Sequence, residues 1–233
     1  MARRPIWPRP RSKAPRKSAA PFQCRLVVML KVPAMGRVKT RLAREIGAVE
    51  ALRFYRHTVQ SVLARAGRDR RWQTELSITP DTGVSNRFWP RGVARRRQGQ
   101  GDLGQRMQRI MDEARPGPVI IIGTDIPAIH PNHIARAFTL LKGRDAVLGP
   151  APDGGYWLAG LTRCPRIIKP FQNVRWSTEN ARADTAANLG VLDLGMATLL
   201  SDVDSRVELR DCQNWFGRRV LPSDVVHGSN ISR

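Results

Sequence analysis

Two kinds of apolar pattern alternate along this chain. One is short and uninterrupted, as in Leu26-Val27-Val28-Met29-Leu30 and Val119-Ile120-Ile121-Ile122. Such runs, rich in β-branched residues, predict strands buried on both faces, as in parallel sheets. The other is periodic: Leu42, Ile46, Val49, Leu52, Tyr55, Val59, Val62 and Leu63 recur at helical spacing over residues 41–66, with a break predicted at Gly47. Weaker signals continue the alternation. Strands are predicted at 75–79, ended by the turn Pro80-Asp81-Thr82-Gly83, at a sheet edge near 93–98, at 145–149 and at 156–161. A helix is predicted from Asp102, its N-cap, with Leu103, Met107, Ile110 and Met111 on one buried face. Others are predicted over 131–141, with Pro131 in the first turn, and near 179–189 and 205–215. Strands alternating with helices predict an α/β fold of three layers, α/β/α, around a mostly parallel central sheet.

At 233 residues the chain suffices for one substantial core. A single domain over 23–217 is predicted, between a basic, Pro-rich, disordered tail (1–22) and a C-terminal tail (218–233). The formal net charge of +21 raises nucleic acid or an anionic surface as a partner. Its placement argues against that. Residues 1–20 carry seven Lys/Arg and no acid, which leaves +14 for the rest of the chain, without interleaved aromatics of the kind that stack bases. Cys24, Cys164 and Cys212 form no CxxC pair and no even framework, which suits a reduced cytoplasm. No apolar run approaches the ~20 residues of a membrane span.

Chemistry-bearing residues gather where predicted strands end. Asp125 follows the 119–122 run, and Pro127 cannot extend a ladder. In open α/β sheets ligands collect at the carboxyl ends of strands, so Asp125 lies at a binding crevice and suits a hard divalent ion, Mg2+ or Mn2+. A turn or cap is the alternative role. After the first strand, Gly36 gives the backbone freedom and Arg37, Lys39 and Arg41 bring cations to a helix start, either to bind phosphate or as a solvated face. It is no Walker A loop, since the GxxxxGK[ST] spacing is absent. Gly101, Asp102 and Gly104 form a second glycine-rich corner, a floor for a nucleobase or a plain helix cap. Asp153-Gly154-Gly155-Tyr156-Trp157 is a corner suited to a hydroxylated substrate, or an ordinary hairpin turn. Asp202-Val203-Asp204, the chain's D-x-D, offers a second metal ligand or a cap for the last helix. His57, His130, His133 and His227 are scattered and no GxSxG occurs, so metal-assisted displacement is favoured over covalent catalysis.

As a set, Pro33-x-x-Gly36-x-Val38-Lys39-Thr40-Arg41-Leu42, Gly101-Asp102-Leu103-Gly104-x-Arg106-Met107, Gly123-Thr124-Asp125-Ile126-Pro127, Gly149-Pro150-Ala151-x-Asp153-Gly154-Gly155-Tyr156-Trp157 and Asp202-Val203-Asp204 resemble a bacterial family of GT-A-type glycosyltransferases of unknown function. Some of its members are associated with arsenosugar biosynthesis. The chain is more distantly similar to 2-phospho-lactate and molybdenum-cofactor guanylyltransferases. The resemblance spans about residues 25–215 and implies a Rossmann-like nucleotide-diphospho-sugar transferase fold. By position it implies Gly36, Arg37, Lys39 and Arg41 at the nucleotide phosphates, Gly101, Asp102 and Gly104 at the base, and Asp125 at the metal, to which the D-x-D adds Asp204 as the candidate second ligand. It further implies Asp153, Gly154, Gly155, Tyr156, Trp157 and Trp176 lining the acceptor site, where Asp153 is the candidate acceptor-side catalytic residue. The expected activity is metal-dependent sugar transfer from a nucleotide-diphospho-sugar to a small acceptor. The alternatives are condensation of an NTP with a phosphorylated small molecule, or binding of nucleic acid or an anionic surface.

Overall fold

The computed structural model describes residues 22–163 and 168–216. The predicted N-terminal tail except Phe22, the predicted C-terminal tail from residue 218, and Cys164 lie outside the described residues. Seven strands form one sheet: β1 (Arg25–Lys31), β2 (Gln73–Thr79), β3 (Ala94–Arg97), β4 (Gly117–Ile122), β5 (Ala146–Pro150), β6 (Tyr156–Arg163) and β7 (Leu194–Met196). Their spatial order is β3-β2-β1-β4-β6-β5-β7. β1 is parallel to β2 and β4, β2 to β3, and β5 to β7, while β6 is antiparallel to both β4 and β5. Six strands therefore run one way and β6 alone runs back, so the sheet is mixed but mostly parallel, as expected.

Helices pack on both faces of the sheet, and the period of two along β4 divides the core. Ile120 and Ile122 pack with Val28, Leu76 and Leu158 beneath α2 (Ala48–Ala66) and α4 (Pro131–Leu141). Val119 and Ile121 pack with Val27, Leu148 and Leu161 beneath α3 (Leu103–Glu113) and α5 (Ala181–Leu189). All four β4 residues are at most 2% exposed, which is why the run carries no polar alternation. Two further helices, α1 (Thr40–Ile46) and α6 (Arg206–Phe216), close a third cluster in which Leu42, Phe54, Val203 and Leu209 meet.

The predicted break at Gly47 separates α1 from α2, with φ 89°, a conformation that favours glycine. Pro131 opens α4 and Asp102 caps α3, as the sequence indicates. Two expectations are corrected. Leu103, assigned to the buried face of α3, is 44% exposed: it shares the angular face of Met107, Ile110 and Met111, but as the first helical residue it lies beyond the part of that face the core covers. β7 was not foreseen: three residues, Leu194-Gly195-Met196, are too few for a periodic signal, and they become a strand by pairing with β5.

Candidate active site

The chain moves outward from β1 through β2 to β3, then returns to place β4 on the other side of β1. Strand order reverses between β1 and β4, and in open α/β sheets such a point opens a crevice at the carboxyl ends. β4 pairs with β1 only as far as Ile122 opposite Val28, so β1 continues to Lys31 after β4 has ended. Gly123, Thr124 and Asp125 turn off in that gap, with the Gly123 N–H donating to the Trp157 carbonyl at 3.3 Å. The loop after β1 forms the opposite wall.

Lys39 joins the two walls. Its ammonium donates to Asp204 Oδ1 at 2.8 Å and stands 3.8 Å from Asp125 Oδ1, with only 3% of the side chain exposed. Its backbone, just before α1, is left-handed (φ 47°, ψ 46°), a region costly for a residue with a Cβ. Such strain persists where the surroundings over-determine it and often marks a functional site. Arg41, largely exposed, stands 3.5 Å from Asp204 Oδ2. Arg37 is exposed in the same loop, and Gly36 (φ 70°) has nothing within 4 Å of an added Cβ, so the loop crest is open to a ligand.

Two residues outside the sequence candidates, Tyr55 and Glu208, position this constellation. The Tyr55 hydroxyl accepts from the Lys31 N–H at 3.0 Å and donates to the Lys31 carbonyl at 2.9 Å, anchoring the end of β1. Burial first, and then the charge of Asp125, push its pKa up, so it remains a protonated donor. In the apolar pattern Tyr55 is one helical position among many, and nothing marks its hydroxyl. Glu208 accepts from the backbone N–H groups of Asp204 and Ser205 and from the Ser205 hydroxyl, and so caps α6. That Ser-x-x-Glu spacing is a capping-box signature and was legible in the sequence. It leaves the Asp204 carboxylate free of the capping role and turned to Lys39.

Asp202, two residues earlier, is half-buried; burial first, then the charge of Asp204, raise its pKa to about 6, with Lys39 opposing and Asp153 and Glu208 adding to the rise. Asp125 and Asp204 thus meet at Lys39, with Asp202 near enough to Asp204 to feel its charge. Among the described residues no group of three or more His, Cys, Asp or Glu side chains is arranged to hold a metal alone. This donor set fits Mg2+ or Mn2+, which take one or two carboxylates and complete their shells with water and substrate phosphate.

The glycine corner after β3 is built by polar contacts. Buried Gln98 donates from its amide to the carbonyls of Leu30 (3.2 Å) and Ser77 (2.8 Å), and Arg109 donates to those of Gln98 (2.6 Å) and Gln100 (3.0 Å). Asp102 forms a full capping box with Gln105, so its carboxylate already accepts the Gln105 N–H at 2.8 Å. At Gly101 an added Cβ would lie 2.2 Å from Gln105 Oε1. Gly104 is buried, and its missing Cβ makes room for the Phe171 carbonyl at 2.3 Å and the Trp176 indole at 2.8 Å. Its glycine requirement is met by packing against Trp176.

At the start of β6, Asp153 is exposed and its Oδ1 accepts the Gly155 N–H at 2.8 Å. Gly154 (φ 83°) packs against the Glu179 backbone. Tyr156 and Trp157 are adjacent in a strand and point to opposite faces. Tyr156 packs edge-on to Trp176 at 6.2 Å, with its hydroxyl 3.2 Å from Thr185 Oγ1. Trp157 is 5% exposed and its indole N–H donates to the Thr198 carbonyl at 2.9 Å. The structure therefore brings Tyr156 and Trp176 together and sends Trp157 into the other core, so the aromatic pair does not line a single wall.

Comparison with known proteins agrees with this architecture. A family model of uncharacterised proteins conserved in bacteria, DUF2064, matches residues 62–178. No curated protein matches. A crystal structure from Desulfovibrio desulfuricans G20, provisionally described as a nucleotide-diphospho-sugar transferase, is 27% identical with TM-score 0.74, over 84% of this chain and 88% of that one. The 4-diphosphocytidyl-2C-methyl-D-erythritol synthase of Anaerococcus prevotii DSM 20548 shares the fold at 8% identity and TM-score 0.54, over 84% and 96% of the two chains. A CMP:2-keto-3-deoxy-manno-octonic acid synthetase complexed with CTP shares it at 10% and 0.53, over 84% and 99%. Among the described residues no helix is long and apolar enough to cross a membrane.

Proposed function

We propose, because the chain belongs to the bacterial family DUF2064 and is a transferase of the nucleotide-diphospho-sugar transferase superfamily, that it moves a sugar from a nucleotide-diphospho-sugar to a small acceptor with a divalent ion. The observation that carries this reading is Lys39: a strained, buried ammonium held between Asp125 and Asp204 at the switch-point crevice. In this reading Lys39 and Arg41, with Arg37 at the loop crest, hold the diphosphate and oppose the charge that builds on the departing nucleoside diphosphate. Asp125 and Asp204 would hold Mg2+ or Mn2+, which when bound supplies further charge neutralisation at the phosphates. Gly36, Gly101, Asp102 and Gly104 border the nucleotide. Asp153 accepts a proton or orients the acceptor hydroxyl, beside Gly154, Gly155, Tyr156 and Trp176.

A second reading, transfer of a nucleotidyl group from an NTP to a phosphorylated small molecule, is favoured by one observation. Three cations after β1, two of them exposed, match a triphosphate as well as a diphosphate. The two reactions differ in what leaves. Calorimetry with nucleoside di- and triphosphates and nucleotide-sugars, with Mg2+ or Mn2+, followed by product analysis, tests both. Nucleoside diphosphate release supports sugar transfer, and pyrophosphate release supports nucleotidyl transfer. If no nucleotide binds, or if Asp125→Ala leaves metal-dependent binding unchanged, the proposal fails.

A further inference from the structure

The half of the sheet farthest from β7 is uncovered on the α3 side. There β2 and β3 present Glu75 and Arg96 in place of apolar side chains, and between this surface and the flank of α3 lies a cavity of about 630 Å3. That size falls within the roughly 300–1,000 Å3 of small-molecule sites. The cavity meets the glycine corner at Gly99 and runs down to Arg25 and Arg115 at the opposite ends of the strands, away from the Lys39 crevice. Five arginines line it, Arg25, Arg96, Arg97, Arg109 and Arg115, against three carboxylates. Two of the carboxylates are engaged with Arg96: Glu113 is bonded to it and Glu75 lies 3.9 Å away. The third, Asp81, accepts the Gly99 N–H at 3.0 Å. The side chains of Arg25, Arg97 and Arg115 form no hydrogen bond or ion pair among the described residues. The Nε–H groups of Arg25 and Arg96 are buried without an acceptor.

We propose that this cavity is a second anion site, separate from the nucleotide crevice, which takes a small molecule bearing a phosphate or several carboxylates. A surplus of two positive charges matches a dianion, and the planar guanidinium groups of Arg25, Arg97 and Arg115, which have no carboxylate partner among the described residues, suit oxyanions. The occupant would also touch Arg109, the residue that holds the glycine corner.

Titration calorimetry on the metal-free full chain tests this, with inorganic phosphate and citrate as separate probes. An ionic strength of about 0.15 M screens exposed charges beyond ~8 Å and suppresses diffuse binding to a basic surface. Saturable one-to-one binding of either anion is expected; phosphate alone identifies a phosphorylated ligand and citrate alone a polycarboxylate. Arg25→Gln combined with Arg115→Gln is expected to weaken binding tenfold or more, while Lys39→Met stays within twofold of the parent. If the double variant does not unfold as cooperatively as the parent, exposed Arg97→Gln replaces it with the same expectation. No saturable binding, or binding lost with Lys39 and kept without Arg25 and Arg115, overturns the proposal.

Discussion

Replacing Lys39 by Met removes the ammonium, keeps most of the buried stem, and leaves the left-handed backbone strain unchanged, so the charge is tested alone. At an effective dielectric of 20, Coulomb's law assigns ~6 kcal/mol to the 2.8 Å contact with Asp204 and ~4 kcal/mol to the 3.8 Å approach to Asp125. Most of this is cancelled. The ammonium is 3% exposed and has lost its hydration, and Asp125 and Asp204 are 58% and 32% exposed, so water replaces much of what Lys39 supplied. A net loss of about 2 kcal/mol remains, or about 4–8 °C in melting temperature for a chain of this size. The two carboxylates are then left facing each other without their shared cation, so Mn2+ should raise the variant's melting temperature more than the parent's. A lost charge-assisted contact of ~1.5–3 kcal/mol weakens nucleotide diphosphate binding about 10- to 100-fold. Calorimetric melting with and without Mn2+, together with nucleotide titration, measures all three quantities. A variant that melts at or above the parent and binds nucleotide as tightly would refute the reasoning.

Three further outcomes are expected. Asp125→Asn should weaken Mn2+-dependent nucleotide binding by about tenfold or more while leaving the urea midpoint within experimental error, since its side chain is 58% exposed and makes no hydrogen bond to the fold among the described residues; a large stability loss with intact binding would contradict it. Gly104→Ala forces a Cβ to within 2.3 Å of the Phe171 carbonyl and should cost ~1–3 kcal/mol, read from the urea midpoint, and an unchanged midpoint would show that Trp176 gives way without penalty. Arg175, by bonding to Asp184, holds that carboxyl down at about 2, so the pair's stabilisation is full above the unfolded carboxyl value of roughly 4 and is lost as pH falls toward 2. The melting curves of the parent and Asp184→Asn should accordingly converge between those pH values, and a constant gap would dismiss the linkage.

Most of the scaffold was legible because its signals are local. The uninterrupted Ile run of β4, the Gly47 break and the Pro131 start each follow from the residue's own conformational preferences, and the structure realises all three. Loop residues could be placed at strand ends for the same reason. Their mutual contacts could not be read. Lys39 and Asp204 are 165 residues apart in sequence, and no periodicity reports that they meet. Tyr55 carries its function in one hydroxyl on an otherwise ordinary core position, and Gly104, which resembles a ligand-approach glycine in sequence, is shaped by Trp176 from a distant loop. Adjacent Tyr156 and Trp157 read as one aromatic patch until the strand pleat separates them. Long-range geometry, rather than residue type, decides such cases.

The 165-residue span between Lys39 and Asp204 also bears on how the protein is made. A nascent chain released as far as residue 196 already contains every strand of the sheet, yet it lacks Asp202, Asp204 and the α6 residues that pack on Leu42 and Phe54. Its buried lysine has no partner on that side, so the crevice reaches its final charge only when the last helix docks. The Lys39–Asp204 contact, on which the proposed site depends, is thereby made only after the segment that carries Asp204 and α6 has been synthesised.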